Sequence, residues 1–249
     1  MGITPGLDLD GQVSDGSDAA SCHMLDFVSA DGTPGIDNQF ATILPVVEAI
    51  PSVDLAADFR DAIASGEILL LIEVETRSGG EVALSFFTGR VPGGGAPLLD
   101  GDDLLAANQI FDLTPLSLGT TGDRVASTSF ACAVLATVLA GAVDLPLPWP
   151  ASDAPTPTPE PATIRGASLR FDASADGLTH GLIAGRLGLQ DLARAITGMP
   201  SGSFIDDPTS SGVGDLDPDA FGVCQSISVA LIFDAIPAIA GAPARERGR

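Results

Sequence analysis

An all-β chain, a single β-sandwich or jelly-roll-like domain with two or three short helices, is what three features of this sequence predict. Apolar residues recur at every second position in several runs, as half-buried strands require, and few stretches show helical spacing. The acids are 26 Asp against 7 Glu. Asp is poor inside helices and good in turns and caps, so the skew favours a loop-rich chain over a helical bundle. At 249 residues the chain is long for one domain but within the range of a large sandwich or barrel, with enough length to bury a sizeable core. The reading is one domain over 1–240, containing a proline-rich connector at 151–161, and a disordered arginine-containing tail at 241–249.

In chain order, 1–35 is polar and punctuated by Asp10-Gly11, Asp15-Gly16 and Asp31-Gly32, so little regular structure is expected. Asp37 reads as the N-cap of a helix with Phe40, Ile43, Leu44 and Val47 on one face, which Pro45 should break or kink. A second helix is predicted from Asp54 to Ser65, with Leu55, Phe59, Ala62 and Ile63 on one face and Gly66 as its stop. The period then changes to two: Ile68, Leu70, Ile72 and Val74, and after Ser78-Gly79-Gly80 the set Val82, Leu84 and Phe86, read as a hairpin. A glycine loop at Gly93–Gly95, an Asp100-Gly101 turn and a short run at Gln109–Leu113 follow.

Val125 to Val143 is uncharged and long enough for a membrane span. Ser127, Thr128, Ser129, Thr137 and Gly141 dilute it, and it lacks an aromatic belt or basic flank. Buried strands are the reading, with no transmembrane span. Thr163–Ser174 and Leu178–Leu189 around Ala175-Asp176-Gly177 form the clearest hairpin. Gln190–Thr197 reads as a short helix, and Gln225, Ile227, Val229, Leu231 and Phe233 as a last strand ending before Pro237.

Composition removes whole classes of chemistry. The net charge of −22 repels phosphate backbones and argues against nucleic acid as a partner. The eleven basic residues are all Arg, which excludes a phosphate-loop lysine, a Schiff base and a Ser-x-x-Lys nucleophile. With no tyrosine and Trp149 as the one tryptophan, an aromatic platform for sugars or bases is not expected.

Cys22, Cys132 and Cys224 have no C-x-x-C spacing, and with only His23 and His180 beside them a zinc site is not expected. Cys22 and Cys224 lie in polar, turn-rich surroundings and are expected to pair; Cys132, inside an apolar run, is expected to stay a buried thiol. Such a bridge implies an oxidising, extracytoplasmic compartment. The N-terminus MGITPGLDLDG has neither a basic n-region nor an apolar h-region, so no leader is read there.

Two acidic segments carry the candidate site. Cys22–Phe40 holds four potential oxygen ligands, Asp26, Asp31, Asp37 and Asn38, and Gly214–Gln225 holds Asp215, Asp217 and Asp219. Calcium takes six to eight oxygens, and clustered carboxylates repel one another until a cation sits among them. The expected ligands are Asp215, Asp217 and Asp219, joined by Asp31, Asp37 and Asn38, with Asp8 and Asp10 as further contributors. An EF-hand loop from Asp215 would need Gly and Glu where Ala220 and Ser226 stand. The competing reading is a set of solvated acidic turns, with Asp37 only capping its helix. Glu73 and Glu75 project from one strand face, and His23 and His180 could each serve as a base. No G-x-S-x-G elbow or partnered nucleophile accompanies them, so a structural role is read for each.

Head and tail together carry a pattern: D-x-D-G at Asp8–Gly11, C-x-x-x-D-F at Cys22–Phe27, D-G-x-x-G-I-D-N-Q at Asp31–Gln39, and G-x-C-Q-x-I-S at Gly222–Ser228 before an apolar strand and Pro237. It resembles a group of uncharacterised bacterial secreted or lipoprotein-like proteins. The resemblance implies an envelope or extracellular location and no activity. The functional expectation is an exported, non-catalytic surface or binding module, calcium-stabilised where its ends meet. The alternatives are a carboxylate-based hydrolase, with Glu73 or Glu75 meeting a histidine in a cleft, and a carrier of apolar ligands with a cavity lined by Val125–Val143.

Overall fold

The computed structural model describes residues 2–19, 21–48, 54–76, 82–102, 104–115, 124–127, 143–147, 162–174, 176–195 and 212–241. Strands account for 48% of the structure and short helices for 14%, an all-β, sandwich-like fold class. Cys132, the 151–161 connector, residues 242–249 and all of Val125–Val143 except its ends lie outside the described residues. The chain divides into two compact units, one made of Met1–Asp54, Gly141–Leu169 and Leu182–Phe233, the other of Leu55–Ala140, Arg170–Gly181 and Asp234–Arg249.

The first unit opens on two short paired strands, β1 (Phe27–Val28) and β2 (Pro34–Ile36), and the helix α1 (Phe40–Glu48). Otherwise 2–35 holds turns and isolated bridges, as its Asp-Gly pairs require. Pro45 does not end α1, which continues for three residues beyond it. Asp37 does not cap it: the Gln39 N–H is taken by the Ser228 hydroxyl at 2.7 Å, and the Asp37 carboxylate accepts from Leu9 instead.

The main sheet runs β10-β11-β9-β8-β7, from β7 (Val143–Leu147), β8 (Ala162–Ser174), β9 (Gly177–Gly188), β10 (Leu216–Pro218) and β11 (Cys224–Ala235). β9 lies at its centre, and Leu182, Ile183 and Ala184 are buried in succession, so both of its faces are covered. Gly185 lets β8 come close: a Cβ there would stand 2.5 Å from Ile164 Cγ2 and 2.9 Å from the Arg165 carbonyl. The helix α3 (Leu189–Ala195) follows, burying Leu189 and Leu192.

The second unit carries α2 (Leu55–Ser65), which stops at Gly66 as predicted: φ is +81°, and the Glu67 and Ile68 N–H groups both reach back to the Ala62 carbonyl. The predicted hairpin is present as β3 (Leu70–Thr76) and β4 (Val82–Arg90), antiparallel, with Glu73 opposite Ser85. β4 also pairs β5 (Gln109–Pro115) and β6 (Arg124–Ser127). The chain after Pro237 adds a strand not read from sequence, β12 (Ala238–Ala240), parallel to β5. Leu84, Phe86, Phe111 and Phe171 fill this unit's core.

Candidate metal centre

The head forms a set of interlocking aspartate turns. Asp8 accepts the Gly11 N–H at 2.6 Å and Asp10 the Gln12 N–H at 2.8 Å, so each carboxylate folds back over its own loop. Asp26 accepts the Ser14 N–H, and Asp37 accepts the Leu9 N–H at 2.6 Å. Gly35, at φ +81°, brings β2 onto this loop: a Cβ there would lie 2.8 Å from the Gln12 carbonyl oxygen and 3.7 Å from an Asp8 carboxylate oxygen. Carboxylate oxygens of Asp8, Asp10 and Asp37 thereby come within 4.8 Å of one another.

Electrostatics mark the same place. Burial pushes the Asp37 carboxyl up to about 7, and the charges of Asp10, Asp26 and Asp215 push in the same direction against the Leu9 hydrogen bond. Asp215 is raised to about 6, again mainly by burial. Asp26 is raised by burial and by Asp10, Asp18 and Asp8. Next to Asp37, the Asn38 side chain is 4% exposed; its amide donates to Thr4 Oγ1 and the Pro5 carbonyl, while its Oδ1 has no hydrogen-bond partner. A buried carbonyl oxygen without a donor is costly unless something else satisfies it.

The tail is fastened to this head. Cys22 and Cys224 form a disulfide, with Cα atoms 6.1 Å apart, as the sequence predicts. A relay runs from the Gln39 N–H to Ser228 Oγ, and from Ser228 Oγ to the buried Asp215 carboxylate, which also accepts the Ser228 N–H at 2.7 Å. Arg186 donates to Asp217 Oδ1 at 2.8 Å.

The expected ligands therefore separate. Asp37, with the secondary candidates Asp8 and Asp10, forms the three-carboxylate set, and Asn38 adjoins it in sequence. Asp215 is within electrostatic reach of Asp37, but its hydrogen bonds are spent on Ser228. Asp217 is ion-paired with Arg186. Asp219 accepts the Phe221 and Val223 N–H groups at 2.8 and 3.0 Å and so caps its own turn. Asp31 does the same for Ser29 and Thr33, whose hydrogen bonds hold its carboxyl below the usual range.

The tail triplet alternates as strand residues do, but Asp217 takes a left-handed φ of 57° and the three carboxylates serve different partners. The stronger signal was the D-x-D-G of the head. Its two aspartates and the glycine that follows make the tight turn in which neighbouring carboxylates face one site. Ser228, which joins the two ends, closes the G-x-C-Q-x-I-S pattern of the tail, but that pattern does not show that its hydroxyl links Asp215 to Gln39.

The remaining candidates lie elsewhere. His180 pairs with Asp172 at 2.9 Å on an exposed surface. No helix among the described residues is long and apolar enough to cross a membrane. Comparison of the chain with protein-family models, curated proteins and solved structures finds no match.

Proposed function

We propose that this chain is an exported, non-catalytic binding module whose two ends are joined by the Cys22–Cys224 disulfide and whose head holds a calcium ion on Asp8, Asp10 and Asp37. The observation that carries the reading is the convergence of those three carboxylates, one of them buried, within 4.8 Å. The dull alternative for Asp37, a helix cap, is not what its carboxylate does. Asn38, next to Asp37 in sequence, has a buried Oδ1 without a donor, a neutral oxygen of the kind calcium accepts, and loops suit calcium's flexible shell better than the tight octahedron of magnesium. The disulfide supports an oxidising compartment, and the resemblance to bacterial secreted proteins points the same way.

Unfolding of the full chain in excess chelator and in calcium tests the reading. Calcium at a hundredfold over its dissociation constant should add about 2.7 kcal/mol, and magnesium much less. Asp8→Asn with Asp10→Asn should abolish the gain. An unfolding midpoint indifferent to calcium leaves a module held by its disulfide and hydrogen bonds alone.

A further inference from the structure

In the second unit, independently of the metal site, α2 and the loop before β5 line an open pocket of about 260 Å³. Its wall is apolar, made by Ala56, Phe59, Ile63 and Ala64 of α2 and by Leu99, Leu104 and Leu105 of the loop, with Arg60 as the one charged residue among the described residues that line it. We propose that this pocket binds an amphiphilic monocarboxylate, its single short alkyl chain among the leucines and its carboxylate on the Arg60 guanidinium.

The pocket is preformed rather than a gap beneath a slack loop. Asp100 accepts the N–H groups of Asp102 and Leu104, at 2.9 and 3.0 Å, and donates its own to the Leu104 carbonyl. Gln109 clamps the loop base with three hydrogen bonds, two to Leu98 and one to Ala106. The other end of the loop is seated against the helix stop, where a Cβ on Gly66 would meet Pro97 Cδ at 3.0 Å. Yet this fixed loop leaves Leu98 and Leu104 at 70% and 60% exposure, an arrangement folding alone does not reward.

Charge and size select the occupant. Arg60 is exposed, so its methylene stem completes the wall while the guanidinium stays at the mouth, and among the described residues it has no ion pair. In a chain of net charge −22, a cation without a carboxylate partner among the described residues, beside an apolar pocket, suits a ligand that brings its own. The volume falls just below the roughly 300–1,000 Å³ of pockets for drug-sized ligands, which limits the tail to one short chain.

Calorimetric titration of the full chain with octanoate and with 1-octanol, at about 0.15 M salt where charges beyond roughly 8 Å are screened, tests this. Octanoate should bind roughly tenfold more tightly than octanol, the yield of one charge-assisted hydrogen-bonded pair. Arg60→Gln should erase that preference, and Ala64→Phe, which fills the pocket, should weaken both ligands. Equal affinity for the two ligands, octanoate binding unchanged in Arg60→Gln, or absence of binding by either overturns the proposal. Arg60 is on the surface, so its substitution tests the idea even if Ala64→Phe fails to fold.

Discussion

Asp31 and Asp37 stand in the same acidic loop, and their carboxyl groups are shifted in opposite directions. Asp31 is exposed and ringed by the donors of Ser29 and Thr33, which favour its charge. Asp37 is buried, has one backbone donor and faces other acids, which disfavour its charge. Asp219 and Asp215 differ in setting in the tail, one capping an exposed turn and the other buried against Ser228. The residue type alone does not distinguish a turn-former from a candidate ligand. What distinguishes them is whether the fold brings other acids to the carboxylate: Asp8 and Asp10 take donors from their own loop, as Asp31 does, but also meet Asp37.

The disulfide keeps the two buried acids together, so breaking it has the largest expected effect. Its separation of 202 residues corresponds to an upper figure of roughly 5 kcal/mol in the chain-entropy model. Cys22→Ala with Cys224→Ala should lower stability by several kcal/mol and weaken calcium binding, both read from denaturant unfolding at fixed calcium. Loss of stability with calcium affinity unchanged would show that the head forms its site without the tail.

The opposite shifts predict a specific pH profile for the calcium-free protein. The folded-state pKa of Asp37 is about 7 against 3.8 unfolded, so between those values the folded state holds the extra proton and stability falls as pH rises. The contribution is fully present below about pH 4 and gone above about pH 7. Three units correspond to on the order of 4 kcal/mol, and Asp215 adds a smaller change in the same sense up to about pH 6. Asp37→Asn should flatten the profile and raise calcium-free stability at pH 8, while blunting the calcium response. Calcium added to the unaltered chain should flatten it too, because a cation replaces the proton. A calcium-free stability that rises from pH 4 to 8 would contradict this picture.

Much of the fold was legible because short-range physics dictated it. Gly66 had to end α2, Asp176-Gly177 had to turn the β8–β9 hairpin, and the alternation of Leu84 and Phe86 had to place one face inward. β12 was not legible, since Ala238–Ala240 is too short to show a period and its parallel pairing with β5 is long-range. The site was half legible. The meeting of head and tail and the disulfide followed from turn-rich cysteine segments, but the choice of carboxylates depended on where Ser228 and Arg186 reach, and those contacts span long stretches of chain. Asp217 and Asp219 ranked above Asp8 and Asp10 in the sequence until their partners were placed.

Two glycines sharpen the contrast at smaller cost. Gly32 and Gly35 both have positive φ, +89° and +81°, but a Cβ on Gly32 meets nothing within 4 Å whereas one on Gly35 runs into the Gln12 carbonyl. Gly32→Ala should cost about 1 kcal/mol of backbone strain and leave calcium binding alone. Gly35→Ala should cost about 2–3 kcal/mol and lower calcium affinity, because β2 must withdraw from the Asp8 loop. Equal effects of the two on calcium affinity would mean that the close approach at Gly35 does not shape the site.

The smallest effect belongs to Asp219, which the sequence ranks among the ligands and the structure shows capping a turn. Its Oδ1 accepts the Phe221 and Val223 N–H groups, and its Oδ2 the Gln225 side-chain amide at 3.3 Å. Those N–H groups sit in an exposed turn, so water replaces the carboxylate when it is removed and the loss is small. Asp219→Ala should cost about 1 kcal/mol, the same with chelator as with calcium, because the residue serves the fold identically in both conditions. Asp219→Asn should recover part of that cost, since a neutral Oδ1 still accepts both bonds. If calcium stabilised the unaltered chain but not Asp219→Ala, the ligand set would have to extend into the tail loop, and the division between ligands and turn caps would fail at Asp219 itself.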